Sequence, residues 1–355
     1  MTLTHINPRD YDVFVALDVD RKSYAISFKR SGMQDPKSIK MPADPHRLHN
    51  YFTRRFPNDK VVYAYETGPT GYKLHDHLKQ LGSSCIMAHP GNIRKAPKDR
   101  VKTNRLDSIK LLKDLSSGDL PGIRVPDEAY RQLRHITSTR QHYANDLRRA
   151  KQRIESFLLF ESIILPELIA TRWSNKHIGL LKNLKLDQVR QFKMASFLSD
   201  LEYSRQRLLA VHKELQMFLK QNKTLESHIQ LLKTLPGFGV VVSAYFLARI
   251  GNPENLRNVR EIGSFIGLVP TEHSTGDTTN RGHITHMGDP VLRGLLVEAG
   301  WVAIRRDKEL KQFYERIRSK NPGFRGPKVA IVAVARKLTH RAHRVLKDQR
   351  PYEFR

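Results

Sequence analysis

Two short apolar runs each close on an acid: Val13-Phe14-Val15-Ala16-Leu17-Asp18 and Val61-Val62-Tyr63-Ala64-Tyr65-Glu66. Their β-branched and aromatic residues predict strands, and a carboxylate at a strand end can project from the sheet edge rather than into the core. Residues 11–20 and 22–30 read as a hairpin broken at Asp20-Arg21, with a third strand near Ser38–Met41. A helix is predicted around Pro45–Arg55, with Leu48, Tyr51 and Phe52 on one face. Strand 60–66, helix 70–81, strand 84–88 and a helix over 104–115 follow. The order strand-strand-strand-helix-strand-helix-strand-helix implies a mixed α/β sheet flanked by helices.

Around this acidic pair the chain is strongly basic. Lys and Arg total 62 against 35 Asp and Glu, a formal net charge of +27 over 355 residues. That excess attracts phosphates, so nucleic acid is the leading partner class. An anionic membrane is the weaker rival, because no long apolar segment or lipidation motif occurs. The opening Met1-Thr2-Leu3-Thr4-His5 does not read as a signal peptide. Cys85 is the single cysteine, which excludes intramolecular disulfides and cysteine-rich zinc sites and fits a reducing compartment.

From about 127 to 232 the pattern changes. Gly is absent between Gly122 and Gly179, and stretches such as Leu133 to Leu159 read as helices with basic outer faces. Pro166 and Trp173-Ser174-Asn175 interrupt them. Leu198, Leu201, Leu208, Leu209, Val211 and Leu215 then follow a heptad-like spacing. That seam packs helices within one subunit or forms an arm for self-association. From 231 a Gly-punctuated unit begins, and residues 305–355 read as helices rich in Arg and Lys whose outer face suits phosphate.

Asp107 stands three residues after Asn104, so on a helix the two share a face. Hard divalent ions take oxygen ligands, and strand ends beside a helix can supply several carboxylates at one point. A strand-end acid alone is more often an ordinary turn residue; three in this order on this strand pattern point to a metal-binding set. The basic residues Lys95, Lys98, Arg100, Lys102 and Arg105 cluster beside it and suit phosphate contacts that position a strand without reading it. The runs LDVDRKSY, YETGPTGY and KTNRLDSIKLL resemble motifs of the DEDD transposases of the insertion-sequence family numbered one hundred and ten, which include Piv-type DNA invertases. The resemblance implies an RNase H-like, resolvase-like domain over 1–125. Its four acidic positions fall on Asp18, Glu66, Asn104 and Asp107, with Mg²⁺ or another divalent metal as cofactor. Asn104 departs from the family's Asp. It keeps one carbonyl oxygen and loses the negative charge, which weakens metal binding at close range. Natural divergence and a disarming change both remain open, and the intact surroundings favour the second.

Leu231 to Gly239 resembles a helix-hairpin-helix turn, in which Gly237 and Gly239 would let a phosphate approach the backbone. The stretch from Phe265 through Thr271-Glu272-His273-Ser274-Thr275-Gly276-Asp277 to Arg293 resembles the second domain of the same family, where a Ser before a Gly is the nucleophile. A hydroxyl that attacks a phosphodiester forms a covalent link and conserves the bond energy for rejoining. Ser274 is favoured on chemistry and Thr275 by strict alignment. Arg281 and Arg293 are candidate phosphate contacts, while His273, His283 and His286 receive no firm role. The resemblance implies a helical or coiled-coil oligomerisation segment over 126–230 and a mainly α transposase domain over 231–355. It also implies a tetramer built as a dimer of dimers, donor and target DNA, a structured bridge RNA that pairs with both, and a cytoplasmic, nucleoid-associated setting in a bacterium. Two rivals stand beside this DNA recombinase: a resolvase-like metal-dependent nuclease, which needs no Ser, and a non-catalytic nucleic-acid-binding protein.

Overall fold

A computed structural model describes residues 5–92, 104–166, 171–255, 259–272, 281–285 and 288–354. The chain divides into two compact units that part after Pro126.

The first unit is built on six strands and three helices in the order β1 (Val13–Val19), β2 (Ser23–Arg30), β3 (Lys37–Pro42), α1 (Pro45–Arg55), β4 (Val61–Glu66), α2 (Lys73–Gln80), β5 (Ser84–Ala88), α3 (Asn104–Ser117) and β6 (Gly122–Ile123). The sheet runs β3-β2-β1-β4-β5-β6. β1, β4 and β5 are parallel neighbours, while β2, β3 and β6 join antiparallel. This is the mixed α/β sheet that the strand and helix order implies. Only β6 is new to it: two residues carry too little pattern to announce a strand.

The apolar runs of β1 and β4 are buried because both sheet faces are covered. Val13, Val15 and Leu17 join Tyr63, Tyr65, Leu48 and Phe52 beneath α1 and α2. Phe14, Ala16, Val62 and Ala64 join Leu111, Leu112 and Leu115 of α3 on the opposite face. Phe52 is fully buried and meets Phe28, Tyr51 and Tyr63 edge-on, so truncating it to Ala would cost about 3–5 kcal/mol. Asp44 starts α1 by accepting hydrogen bonds from the His46 and Arg47 amides, and Pro45 occupies the first turn, where its missing N–H costs nothing.

The second unit contains α4 (Glu128–Phe160), α5 (Asn175–Lys182), α6 (Gln188–Gln221), α7 (Lys223–Lys233), α8 (Val240–Ile250), α9 (Val259–Ile266), a hairpin of β7 (Pro270–Glu272) and β8 (Arg281–Ile284), and α10 (Pro290–Arg306), α11 (Lys308–Ser319) and α12 (Gly326–Asp348). α4 and α6 pair antiparallel: Arg140 reaches His212, Arg207 reaches Tyr143, and Arg153 pairs with Asp200. Leu198 and Leu201 of the heptad-like seam are buried, and they cluster with Ala150, Ile154 and Phe157 of α4. That part of the seam packs within one subunit, whereas Leu209 stays 61 % exposed. The helical region expected to run on to about 232 is broken at Asn222, which leaves helical geometry and separates α6 from α7 with no Gly or Pro to signal it.

The helical segment expected over 126–230 and the domain expected from 231 pack as one unit. The reason lies at α8, which docks on α4. The buried Tyr245 hydroxyl donates to the Thr137 carbonyl, and the Arg134 guanidinium donates to the carbonyls of Ala248 and Arg249 at the end of α8. A cation there complements the negative end of the helix dipole. The C-terminal basic face is partly spent on internal pairs. Lys337 meets Glu309 at 2.6 Å, Arg341 meets Asp307 and Glu309, and Arg344 meets Asp348. Lys337 and Arg341, largely covered in their pairs, offer less to phosphate than their count in the sequence suggests, whereas the exposed Arg344 does not.

Candidate active site

The register of β1 and β4 pairs Leu17 with Tyr65. Asp18 and Glu66, each one residue further along its strand, therefore stand side by side at the same end of adjacent parallel strands. Alternation fixes their face. Asp18 shares the parity of Phe14 and Ala16, and Glu66 that of Val62 and Ala64, so both project toward the layer of α3. Asp107 lies one turn before Leu111, the buried residue that seats α3 on that face. The structure thus brings three of the four expected acidic-set positions to one end of one sheet face. Asn104 begins α3, but its side chain lies outside the described residues.

Two local devices hold this edge. The Tyr65 hydroxyl, buried beneath the sheet, donates to the Gly71 carbonyl at 3.1 Å and accepts from the His75 amide at 3.2 Å. Gly71 takes a φ of +65°, which lets the chain after Glu66 fold back over the strand end. Burial pushes the Tyr65 hydroxyl well above its ordinary range, so it stays protonated and keeps donating. On the α3 side, the Ser108 and Ser27 hydroxyls meet at 2.8 Å, both fully buried, and Ser27 also meets Ser38 at 3.1 Å. This chain of hydroxyls pins α3 to β2 one residue beyond Asp107. Neither device was visible in the sequence, since an isolated Tyr or Ser carries no periodic signal.

Oxygen-only donors suit a hard divalent cation. Asp18, Glu66 and Asp107 fit such an ion in chemical kind and in the face they share. Among the described residues, no three Asp, Glu, His or Cys side chains come close enough to grip one ion. Cys85 does not add to the chemistry, because burial pushes its thiol far up and keeps it protonated.

The second expected cluster is in the other unit. Ser274, Thr275 and His273 lie outside the described residues, as do His286, Lys95, Lys98, Arg100 and Lys102. Ser274 and Thr275 belong to the stretch that joins β7 to β8, whose ends are set by the pairing of Glu272 with Arg281. The side chains of Arg281 and Arg105 are also outside the described residues. His283 lies on β8, where its carbonyl accepts from the Thr271 hydroxyl.

The run Gly288 to Arg293 has a structural task. Gly288 has a φ of +89°, and a Cβ there would fall 2.1 Å from the Phe265 carbonyl oxygen. Asp289 caps α10 through the amides of Val291 and Leu292 and pairs with Arg249. Arg293 is half-buried and donates to the Ile266 carbonyl at 3.1 Å. These contacts clamp the end of α9 that leads into β7.

Gly237 likewise differs from its expected setting. Its φ is +84°, and a Cβ would meet the Ala299 carbonyl oxygen at 2.3 Å, so α10 occupies the space on that side. Gly239 is exposed with open space around it, and it begins α8 with no side-chain cap. The α8 amides behind Gly239 are the part of this turn suited to a phosphate.

The sequence signature described as "Transposase IS116/IS110/IS902 family" matches residues 229–315, and the DEDD transposase signature of IS110 type matches residues 15–162. Over 301 residues the chain is 30% identical to "Putative transposase y4qE" of Sinorhizobium fredii (strain NBRC 101917 / NGR234), covering 82% of this chain and 72% of that protein. It is 25% identical over 347 residues to "Transposase for insertion sequence element IS1533" of Leptospira borgpetersenii, covering 96% and 97%. It is 28% identical over 133 residues to the "Pilin gene-inverting protein" of Moraxella bovis, covering 37% and 40%.

Proposed function

Because this chain belongs to the IS110 family of DEDD transposases, we propose that it is a DNA recombinase that joins donor and target DNA by serine attack on phosphodiesters, guided by a structured bridge RNA. The observation that carries the reading is the placement of Asp18 and Glu66 at one end of neighbouring parallel strands, with Asp107 at the head of α3 on the same face.

In this reading Asp18, Glu66 and Asp107 hold divalent metal, Mg²⁺ being the proposed ion, and Asn104 contributes at most a neutral oxygen. Bound there, the metal polarises a phosphodiester and neutralises developing charge. Ser274 is the nucleophile, with Thr275 the alternative. Lys102, Arg105, Arg281 and the α8 amides behind Gly239 hold phosphates. Arg293 supports the hairpin base and reaches phosphate only if its bond to Ile266 yields. A composite site joins the acidic set of one subunit to the hydroxyl of another within a tetramer, a dimer of dimers, in the bacterial cytoplasm. The helix-hairpin-helix reading of the turn before α8 and the arm formed by α4 and α6 belong to the same proposal, as does the division into 1–125, 126–230 and 231–355. Sequence choice then rests on RNA–DNA pairing, while the protein reads backbone and shape.

The test places the chain's own gene, with its flanking non-coding DNA, on a donor plasmid beside a target plasmid. Recombinant junctions and covalent protein–DNA adducts are then scored. Asp18→Ala, Glu66→Ala and Asp107→Ala should each abolish junctions, and Ser274→Ala, or else Thr275→Ala, should abolish the adduct. A resolvase-like nuclease would go on cutting with both hydroxyls replaced. A protein that binds both nucleic acids and yields neither cuts nor adducts, even after Asn104→Asp, would be a non-catalytic binder.

A further inference from the structure

We propose that the α4–α6 hairpin carries a binding groove for an unpaired stretch of RNA, built from a base-stacking ring and a rim of cations. It is a surface of the second unit, distinct from the acidic set, and it stands or falls without the recombination chemistry.

The groove has a volume of about 530 Å³ and opens broadly to solvent. One wall is a single stripe of α4: Arg149, Gln152, Arg153, Ser156, Phe157 and Phe160 recur at the three- and four-residue spacing of one helix face. Lys193 and Phe197 of α6 supply the other wall. Phe157 is buried and meets Phe197 edge-on at 6.1 Å, and the Lys193 ammonium lies 5.1 Å from the Phe157 ring and 6.0 Å from the Phe197 ring. The floor is therefore aromatic and fixed, with a cation held over it.

Phe160 differs from its neighbours. It lines the same groove yet is 83 % exposed, a large ring left in water in a groove that also carries Arg149, Arg153 and Lys193. An unpaired base covers such a ring by stacking, while its phosphates meet the cations. Among the described residues no lining side chain is acidic. Arg153 pairs with Asp200 at 3.1 Å and Arg149 with Asp146 at 3.6 Å, but all four side chains are about half-exposed or more, and such pairs yield readily to phosphate. Two features narrow the partner. A duplex keeps its bases stacked internally, so only an unpaired strand can use the ring. The Gln152 amide and Ser156 hydroxyl between the cations can hydrogen-bond a 2′-hydroxyl, which DNA lacks. A second copy of the chain would bring the same cations against these, which disfavours it as the occupant.

The test irradiates the full chain bound to a short oligouridine carrying 5-iodouridine and maps the crosslinked peptide. A crosslink at Phe160 is expected. Phe160→Leu should remove it and Phe160→Tyr retain it, with oligouridine affinity roughly tenfold weaker in the Leu variant and duplex DNA binding unchanged. Arg149→Ala and Lys193→Ala should each lower the salt slope of oligouridine binding by about one. Crosslinks confined to other peptides would overturn the proposal. An equal crosslink from iodo-deoxyuridine DNA would overturn the assignment to RNA. Loss of the oligomer in Phe160→Leu without change in oligouridine affinity would give the groove to a second copy instead.

Discussion

Asn104 opens α3 three residues before Asp107, so the two positions share the helix face that carries Leu111 onto the sheet. A carboxylate restored there adds a full charge beside Asp107, where a hard cation gains most. Asn104→Asp should raise Mg²⁺ or Mn²⁺ affinity by about 10–100-fold in calorimetric titration and increase strand exchange, and Asp107→Asn on top should remove the gain. If the natural chain already recombines fully and Asn104→Asp changes nothing, Asn104 is a tolerated ligand. The glycines of the turn before α8 make a second contrast. Gly237 combines a φ of +84° with the Ala299 carbonyl against its bare Cα, so Gly237→Ala should destabilise the fold by roughly 2–4 kcal/mol, read as a lowered Tm. Gly239→Ala has open space and an ordinary φ of −90°, so its Tm should barely move, while any phosphate contact behind it weakens. Equal Tm losses in the two variants would refute this division of labour. The sequence marks both glycines alike as a Pro-Gly turn; only the neighbour, α10, tells them apart.

At the scale of elements, the strands that end in Asp18 and Glu66 were legible because a two-faced apolar run has few alternatives to a covered parallel strand. The long basic helices were legible for a similar reason. Their partner was not, because a heptad-like seam reports that a face is buried and not by what. In the structure α4 and α6 bury that seam against each other, with Leu198 and Leu201 inside. Tyr203, Leu209 and Met217 remain more than half exposed on α6. These exposed apolar side chains lie six and eight residues apart along α6, and the expectation of a further partner rests on them. We expect the chain to self-associate through this arm, seen by light scattering as a mass above the monomer and reduced by Leu209→Lys with Met217→Lys. A monomer at all concentrations, with and without nucleic acid, would exclude it. The break at Asn222 escaped sequence reading, since no Gly or Pro punctuates it, whereas α5 begins at the Trp173-Ser174-Asn175 interruption without being read as a helix of its own.

For the whole molecule, the net charge of +27 predicts binding to nucleic acid dominated by released counterions. Affinity for DNA and for structured RNA should fall by roughly 10³-fold or more between low and moderate salt, measured by filter binding or anisotropy. A flat response would remove the electrostatic reading. The internal pairs of Lys337 and Arg341 temper that expectation, because those cations release fewer counterions than a bare count implies. Among the described residues no helix is long and apolar enough to cross a membrane. By itself, the sequence determined the succession of strands and helices, the long basic helices, the acidic strand ends and the family, because hydrophobic period and short motifs are local and survive without a partner. Tertiary structure decided which face the acids share, why Gly237 and Gly288 must be glycine, which arginines are braces and which groove an exposed Phe160 shares with three cations. Each of these depends on residues far apart in the chain arriving at one place, and no local pattern encodes that arrival.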